Sequence, residues 1–279
     1  MNYQKFKINI MKRELDYKIV KNNIRQNLKE YIIKYNLKSL VLGISGGIDS
    51  ALCAALAKPI CDELGIKIIG RSITISTNKK EEIDRARMIG KAFCHDFKEV
   101  DLSNSFNELY KNISEEISSD DIFEKINQGN AKARLRMIYL YDLARKNKGL
   151  VLSTDNYTEL MVGFWSLHGD VGDYGMIQSL WKTEVYNLAI EINSEQQDKL
   201  SLKLCIDATP TDGLGITNSD LDQLGASSYA EVDGVLIKYL HGTPKEVDEV
   251  KNHEVIKRHL STSFKRNNPY NIPISELLS

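Results

Sequence analysis

The chain has 279 residues, enough for one large α/β domain or two small ones, with 42% hydrophobic and 27% charged residues, as in ordinary globular proteins. A formal net charge of −1 gives no electrostatic support for a broad nucleic-acid-binding surface. The four scattered cysteines form no C-x-x-C pair, and no signal core or long apolar run occurs, which predicts a reduced cytoplasmic protein that binds neither nucleic acid nor membrane.

The apolar positions predict strands and helices that alternate along the chain. Helical spacing predicts a first helix over residues 14–35, packed on the sheet or on a second subunit. An apolar run over residues 40–44 predicts a buried strand, and the helix after it ends near residue 64. The same patterns predict strands at residues 66–75, 97–102 and 149–155, and helices at residues 79–93, 104–117, from 129, from 182 and at 244–260. This alternation predicts an α/β fold with a doubly wound parallel sheet, whose ligands lie at the carboxyl ends of the strands.

The turn between the first strand and its helix is the most informative segment. It reads Ser45-Gly46-Gly47-Ile48-Asp49-Ser50. Unpaired backbone N–H groups at a helix start attract anions, and the two glycines have no Cβ to block a close approach. A carboxylate at Asp49 would repel phosphates unless Mg²⁺ lies between them, so the pattern predicts a magnesium and phosphate site. The turn is not a Walker A motif, and a ligand-free turn rich in serine and glycine is the alternative.

Charged residues near the ends of later strands and the starts of later helices predict ligand-binding groups at the same edge of the sheet. Asp155 and Glu159 are four residues apart after the fourth predicted strand, so one helical turn could place both carboxylates on one face as metal and substrate groups. Arg134 and Arg136 follow one predicted helix start, and Lys182 lies at another. Cations there oppose the helix dipole, so their placement predicts an anionic partner, and solvated side chains are the alternative.

Motifs along most of the chain resemble one enzyme family. The turn at Ser45 resembles the pyrophosphate loop of the N-type ATP pyrophosphatases, which cut ATP between the α and β phosphates. Further motifs then follow along the chain in this order: Gly-Asn-x-Lys-Ala-Arg-x-Arg-Met from Gly129, Thr-Asp with Glu four residues beyond, Gly-Phe, Gly-Asp, Lys-Thr-Glu-Val-Tyr from Lys182 and Pro-Thr-x-x-Leu from Pro210. This order is similar to that of ammonia-dependent NAD synthetases over about residues 39–266. The resemblance implies one domain over residues 1–279, a Rossmann-like fold of the adenine nucleotide alpha hydrolase type, and a homodimer.

The resemblance also implies the residues of the site. Mg²⁺ would be held by Asp49 and Glu159, and the proton of ammonium would be taken by Asp155 or Asp170. Deamido-NAD would be contacted by Arg134, Asp173 and Lys265. The residues that would contact ATP, with Lys182 also acting on the leaving pyrophosphate, are Gly43, Ile44, Ser45, Gly46, Gly47, Ile48, Asp49, Ser50, Arg71, Thr154, Lys182 and Thr211.

The implied reaction joins ammonia to a nicotinate carboxylate through an acyl-adenylate, with ATP as co-substrate. Because 279 residues leave no room for an added glutaminase domain, free ammonia is the expected nitrogen donor. Family members usually have glutamine where Ile48 stands, a lysine near Leu167 and a histidine where Phe264 stands. Most of these departures fall on the dinucleotide side. A related amide-forming ligase for another carboxylate therefore stays open, as does a non-catalytic ATP- or AMP-binding module.

The glycine-rich loop over residues 163–179 and the basic tail at residues 263–269 lack apolar periodicity. We predict that the tail is extended. We also predict that loop and tail are mobile without ligand and close over the bound nucleotides, excluding water that would hydrolyse an acyl-adenylate.

Overall fold

The computed structural model describes residues 13–76, 78–114, 121–211 and 219–278. Its strands are β1 (Ser39–Gly43), β2 (Lys67–Thr74), β3 (Asp96–Asp101), β4 (Gly149–Ser153) and β5 (Tyr174–Gly175). Within the described residues they form one sheet in the order β3-β2-β1-β4-β5, and every neighbouring pair is parallel. The four predicted strands are confirmed. The two-residue strand β5 lies inside the loop predicted over residues 163–179, because so short a strand leaves no alternation to detect.

Helices connect the strands and extend beyond the sheet. They are α1 (Tyr17–Lys34), α2 (Ile48–Leu64), α3 (Lys80–Phe93), α4 (Ser103–Ile113), α5 (Asp121–Lys146), α6 (Tyr157–Val162), α7 (Lys182–Glu195), α8 (Leu200–Ile206), α9 (Asp220–Leu224), α10 (Tyr229–His241), α11 (Pro244–Val250), α12 (Glu254–Ser261), α13 (Ser263–Arg266) and α14 (Ile274–Leu277). Within the described part of the chain, no helix is long and apolar enough to cross a membrane.

The helices cover both faces of the sheet, which confirms the doubly wound α/β fold. Leu40 and Leu42 of β1 pack on one face in a core built with α1, α2, α3, α7 and α8. Val41 points to the opposite face and packs in a second core with α4 and α5. Because alternate residues of β1 are buried on opposite faces, the strand reads as a continuous apolar run. A third core around Trp181 joins α6 to the helices near the C-terminus.

Some predicted boundaries are wrong. The helix predicted to open at residue 129 begins at Asp121, so Arg134 and Arg136 lie in its middle, and an anion cannot be inferred there from the helix dipole. Its first two turns hold exposed apolar residues at Phe123 and Ile126, which leave no buried stripe for a pattern to detect.

Other differences concern the C-terminal third. The helix predicted over residues 244–260 is two helices, α11 and α12, because His253 caps a new start after α11 ends. The tail predicted to be extended begins with the short helix α13. Helix α8 was not predicted from the sequence. The predicted helix end at residues 115–117 lies outside the described residues.

Candidate active site

A cleft of about 330 Å³ opens at the carboxyl ends of β1, β2 and β4. This is the edge at which ligands bind to doubly wound sheets. The sequence-predicted site residues that line it are Gly43, Ile44, Ser45, Gly47, Ile48, Asp49, Ser50, Arg71, Thr154, Asp155, Glu159, Asp170, Lys182 and Thr211. Residues up to 168 positions apart thus meet around one cavity, as the parallel topology predicts.

The loop between β1 and α2 has a shape that glycine alone permits at Gly46. Its φ is +84°, and a Cβ built there would lie 2.3 Å from the carbonyl oxygen of Glu82 on α3. Inside the loop, the backbone N–H of Ser45 donates to Ser50 Oγ at 3.2 Å, and that of Gly47 donates to Ser45 Oγ at 3.2 Å. No side chain caps α2 at Gly47. The helix therefore presents its positive end to the cleft, which suits an anion.

Lys182 is the central cation of the cleft. It is the first residue of α7 and is only 2% exposed, and its backbone N–H donates to Thr158 Oγ1 at 2.8 Å. Its Nζ lies 2.5 Å from Asp49 Oδ2 and 3.0 Å from Glu159 Oε1. Burial alone would lower the pKa of Lys182, but the two carboxylates outweigh it and hold the pKa well above its ordinary value. Lys182 is therefore a permanent positive charge at the loop.

Acidic groups outnumber Lys182 in this part of the cleft. Burial raises the pKa of Asp155 to about 7. The charges of Asp170 and Asp49 add to this rise, and the hydrogen bond from the Ser153 hydroxyl opposes it. Burial also raises the pKa of Glu159, where Lys182 opposes the shift and the neighbouring carboxylates add to it. Asp49, Asp155 and Glu159 outnumber Lys182, so the cluster carries excess negative charge when all three are ionised, and the neighbouring negative charges add to the effect of burial on both pKa values.

The chemistry of this cluster fits a hard divalent cation. No group of three histidine, cysteine, aspartate or glutamate side chains arranged to hold a metal occurs in the parts of the chain that the structure describes. Asp49 and Glu159 nevertheless supply two converging carboxylates. Mg²⁺ commonly binds one or two protein carboxylates and takes its remaining ligands from water and substrate phosphates. Asp49 and Glu159 are thus suited to hold it.

Sequence reasoning did not assign Asn156, which supports this cluster. Its side-chain amide donates to Asp49 Oδ1 at 2.9 Å, and its side-chain oxygen accepts from the backbone N–H of Glu159 at 3.0 Å. The residue is fully buried. A signal was present, because Asn156 directly follows Asp155 at the end of a buried strand and precedes a helix.

The three residues predicted to contact deamido-NAD do not line the cleft and instead contact their own chain. Arg134 Nε donates to the carbonyl of Leu167 at 3.1 Å. Asp173 accepts from the backbone N–H of Val151 at 3.0 Å and from the hydroxyl of Tyr141 at 3.1 Å. Lys265 Nζ donates to the carbonyls of Gly163 and Trp165 at 2.8 and 2.5 Å, which ties the tail to the loop. Their roles toward a dinucleotide stay predictions.

Two residues predicted to contact ATP have partners of their own at the rim. The guanidinium of Arg71 donates to both carboxylate oxygens of Asp96, at 3.0 and 3.2 Å. The hydroxyl of Thr211 donates to Glu82 Oε1 at 2.8 Å. Each would have to share or exchange that partner in order to bind a nucleotide.

Three features together define a nucleotide-binding protein of the N-type ATP pyrophosphatase class. They are the parallel sheet, the Ser-Gly-Gly-x-Asp-Ser loop at its carboxyl edge and the Lys182 cluster. A model of the family described as NAD synthase matches residues 20–269. The chain belongs to the NAD synthase family.

Curated relatives agree with this assignment, and a solved structure agrees with the fold. The chain is 31% identical over 255 residues to the NH(3)-dependent NAD(+) synthetase of Finegoldia magna, covering 90% of this chain and 97% of the relative. It is 34% identical over 240 residues to the protein of the same description from Mycoplasmopsis pulmonis, covering 86% of this chain and 84% of the relative. Its fold matches an NMN synthetase from Francisella tularensis with a TM-score of 0.76 at 23% identity, covering 93% and 99% of the two chains.

Proposed function

We propose that this protein catalyses the ATP-dependent amidation of deamido-NAD to NAD, with ammonia as the nitrogen donor and AMP and pyrophosphate as products. The observation that carries the proposal is the pairing of Lys182 with Asp49 and Glu159 beside the glycine-rich loop. That pairing combines a buried cation with carboxylates suited to a divalent metal at a phosphate-binding turn. A module that only binds a nucleotide does not need this combination.

The reaction has two steps. The nicotinate carboxylate attacks the α phosphorus of ATP, the bond to the bridging oxygen breaks, and pyrophosphate leaves. The loop orients the triphosphate, and Lys182 offsets the charge that grows on the leaving group. Mg²⁺, held by Asp49 and Glu159, would polarise the phosphate oxygens when bound.

The second step forms the amide. Ammonia attacks the acyl carbon, and AMP leaves with the bonding electrons. Attack requires neutral ammonia, so a base has to accept a proton, either from ammonium before attack or from the nitrogen after it. Asp155 lines the cleft with a pKa raised to about 7, which suits proton transfer near neutral pH. Asp170 is the second candidate for this base, because it also lines the cleft and burial raises its pKa.

The direct test follows AMP, pyrophosphate and NAD when purified protein is supplied with ATP, Mg²⁺, deamido-NAD and ammonium. We expect the three products in equal amounts, and no AMP when deamido-NAD is omitted. Parallel reactions should replace deamido-NAD by nicotinic acid mononucleotide or nicotinate, and ammonium by glutamine. Faster turnover of another acid would assign the protein to the related ligases, and glutamine used as efficiently as ammonium would contradict the proposed nitrogen donor.

A homodimer in a reducing, cytoplasmic setting is part of the same proposal. All four cysteines are free, and three of them are buried, as suits a reduced protein. Helix α1 packs on the sheet core through Leu28 and Ile32, but Ile33 on the same helix is 59% exposed. Exposed apolar side chains of this kind support a role for α1 in a subunit interface.

We therefore expect light scattering at micromolar concentration to report twice the monomer mass. Ile33→Glu should shift the protein toward monomer, because it would place a charge in the proposed interface. Leu260→Glu on α12 is the matched control, since Leu260 is 53% exposed but lies on a different helix. A monomeric wild-type protein would contradict the proposed dimer, and a dimer left intact by Ile33→Glu would exclude Ile33 from the interface.

A further inference from the structure

Two cations of the cleft are already paired with carboxylates. The ammonium of Lys182 is shared between Asp49 and Glu159, and the guanidinium of Arg71 is paired with Asp96. A triphosphate entering the cleft brings several negative charges close to these acidic groups. Further positive charge near the loop would favour its binding.

Arg85 supplies such a charge from α3. It lines the cleft, and its Nε donates to the carbonyl oxygen of Gly46 in the loop at 2.9 Å. Among residues 13–76, 78–114, 121–211 and 219–278, no carboxylate forms an ion pair with Arg85. A guanidinium has five N–H donors in a rigid plane, and the bond to Gly46 uses only the one on Nε. Within the described ranges, the two terminal nitrogens are therefore left for a ligand.

The position of Arg85 is fixed by close packing between α3 and the loop. A Cβ built on Gly46 would lie 2.3 Å from the carbonyl oxygen of Glu82 and 3.1 Å from the backbone nitrogen of Ala86, which immediately follows Arg85. The Gly46 carbonyl also accepts a weak bond from the thiol of Cys205 at 3.4 Å. Because helix and loop touch through backbone atoms, Arg85 is held at the rim of the phosphate-binding turn.

We propose that Arg85 binds the β and γ phosphates of ATP through its terminal nitrogens and stabilises the pyrophosphate as it leaves. The assignment rests on the proposed function in that ATP is the nucleotide of this cleft. Lys182 and Arg85 then approach the triphosphate from different elements, α7 and α3. Lys182 also balances the acidic cluster, whereas the charge of Arg85 is directed to the phosphates.

Arg85→Gln tests this role, with Arg87→Gln as its matched control. Arg87 lies on the same helix but pairs with Asp84 and Glu99 and does not line the cleft. Calorimetric titration in the presence of Mg²⁺ should compare ATP, pyrophosphate and AMP as ligands of each protein. We expect Arg85→Gln to weaken ATP and pyrophosphate roughly tenfold to hundredfold, as for loss of a hydrogen bond to a charged group. Its affinity for AMP, and all affinities of Arg87→Gln, should stay near wild type.

The salt dependence of ATP binding separates direct phosphate contact from a mere tether on the loop. Loss of a phosphate-contacting charge should make ATP affinity fall less steeply with salt in Arg85→Gln than in the wild type. The proposal would be overturned if Arg85→Gln left the ATP affinity or its slope against salt unchanged. It would also be overturned if the substitution weakened AMP binding as much as ATP binding. If ATP binding depends on Arg85 but the protein makes no NAD, the proposed function fails and the role of Arg85 stands.

Discussion

Replacing Lys182 by methionine is expected to lower kcat/KM by about a thousandfold, comparable to the largest effects of removing one group that stabilises transition-state charge. Lys182 is the buried cation beside the loop, and methionine keeps most of the side-chain volume while removing its charge. The substitution also leaves Asp49 and Glu159 without their shared partner. Breaking a buried ion pair in this way costs about 3–5 kcal/mol of unfolding free energy. Steady-state kinetics and urea unfolding measure the two effects.

Lys21→Met is the matched control for this change. Lys21 is also a buried lysine, 5% exposed, and it pairs with Glu195 on α7, away from the cleft. We expect Lys21→Met to lower stability less, because Glu195 is partly exposed and can be solvated by water, and to leave kcat/KM within a fewfold of wild type. If Lys182→Met retained more than about a tenth of wild-type activity, Lys182 could not be the main charge acting on the leaving group.

Asp49→Asn and Glu159→Gln are each expected to lower the reaction rate about a hundredfold to a thousandfold. Neither should cause the loss of stability expected for Lys182→Met. Each removes a carboxylate suited to Mg²⁺ that also positions Lys182. The charges of Asp49 and Asp155 both raise the pKa of Glu159, so neutralising Asp49 or Glu159 relieves repulsion within the cluster. Rates at increasing Mg²⁺, with thermal unfolding of the same samples, test both parts.

Glu184→Gln provides the control for removing a buried carboxylate. Glu184 lies in the first turn of α7, pairs with Arg13 and does not line the cleft. Glutamine can still accept the hydrogen bond that Glu184 receives from the backbone N–H of Trp181. We expect near-wild-type rates from this variant. Near-full activity of Asp49→Asn or Glu159→Gln at saturating Mg²⁺ would show that the metal assignment is wrong.

Local sequence determined the strands, the loop and the helix starts around the site of this protein. Residues 40–44 are apolar on both faces of the strand, and a sharp glycine turn with a helix-forming run follows, so the local pattern alone predicts the strand, the loop and the helix. The sequence likewise predicts Lys182 at a helix start, where it lies as the first residue of α7. The strands β1 and β4 are adjacent and parallel, so Asp49 at the start of the helix after β1 and Asp155 just after β4 had to face one cleft.

Only the tertiary structure decided how charges pair within that cleft. Lys182 bonds to a carboxylate 133 positions away, and no local pattern encodes which of several nearby acids receives it. Arg85 lies among many charged residues of an amphipathic helix, so its contact with Gly46 depends on how α3 packs against the loop. Arg134, Asp173 and Lys265 contact backbone or side-chain groups 22 to 102 residues away. Such contacts depend on how loops and helices pack together, and the spacing of residues along the chain does not specify that packing.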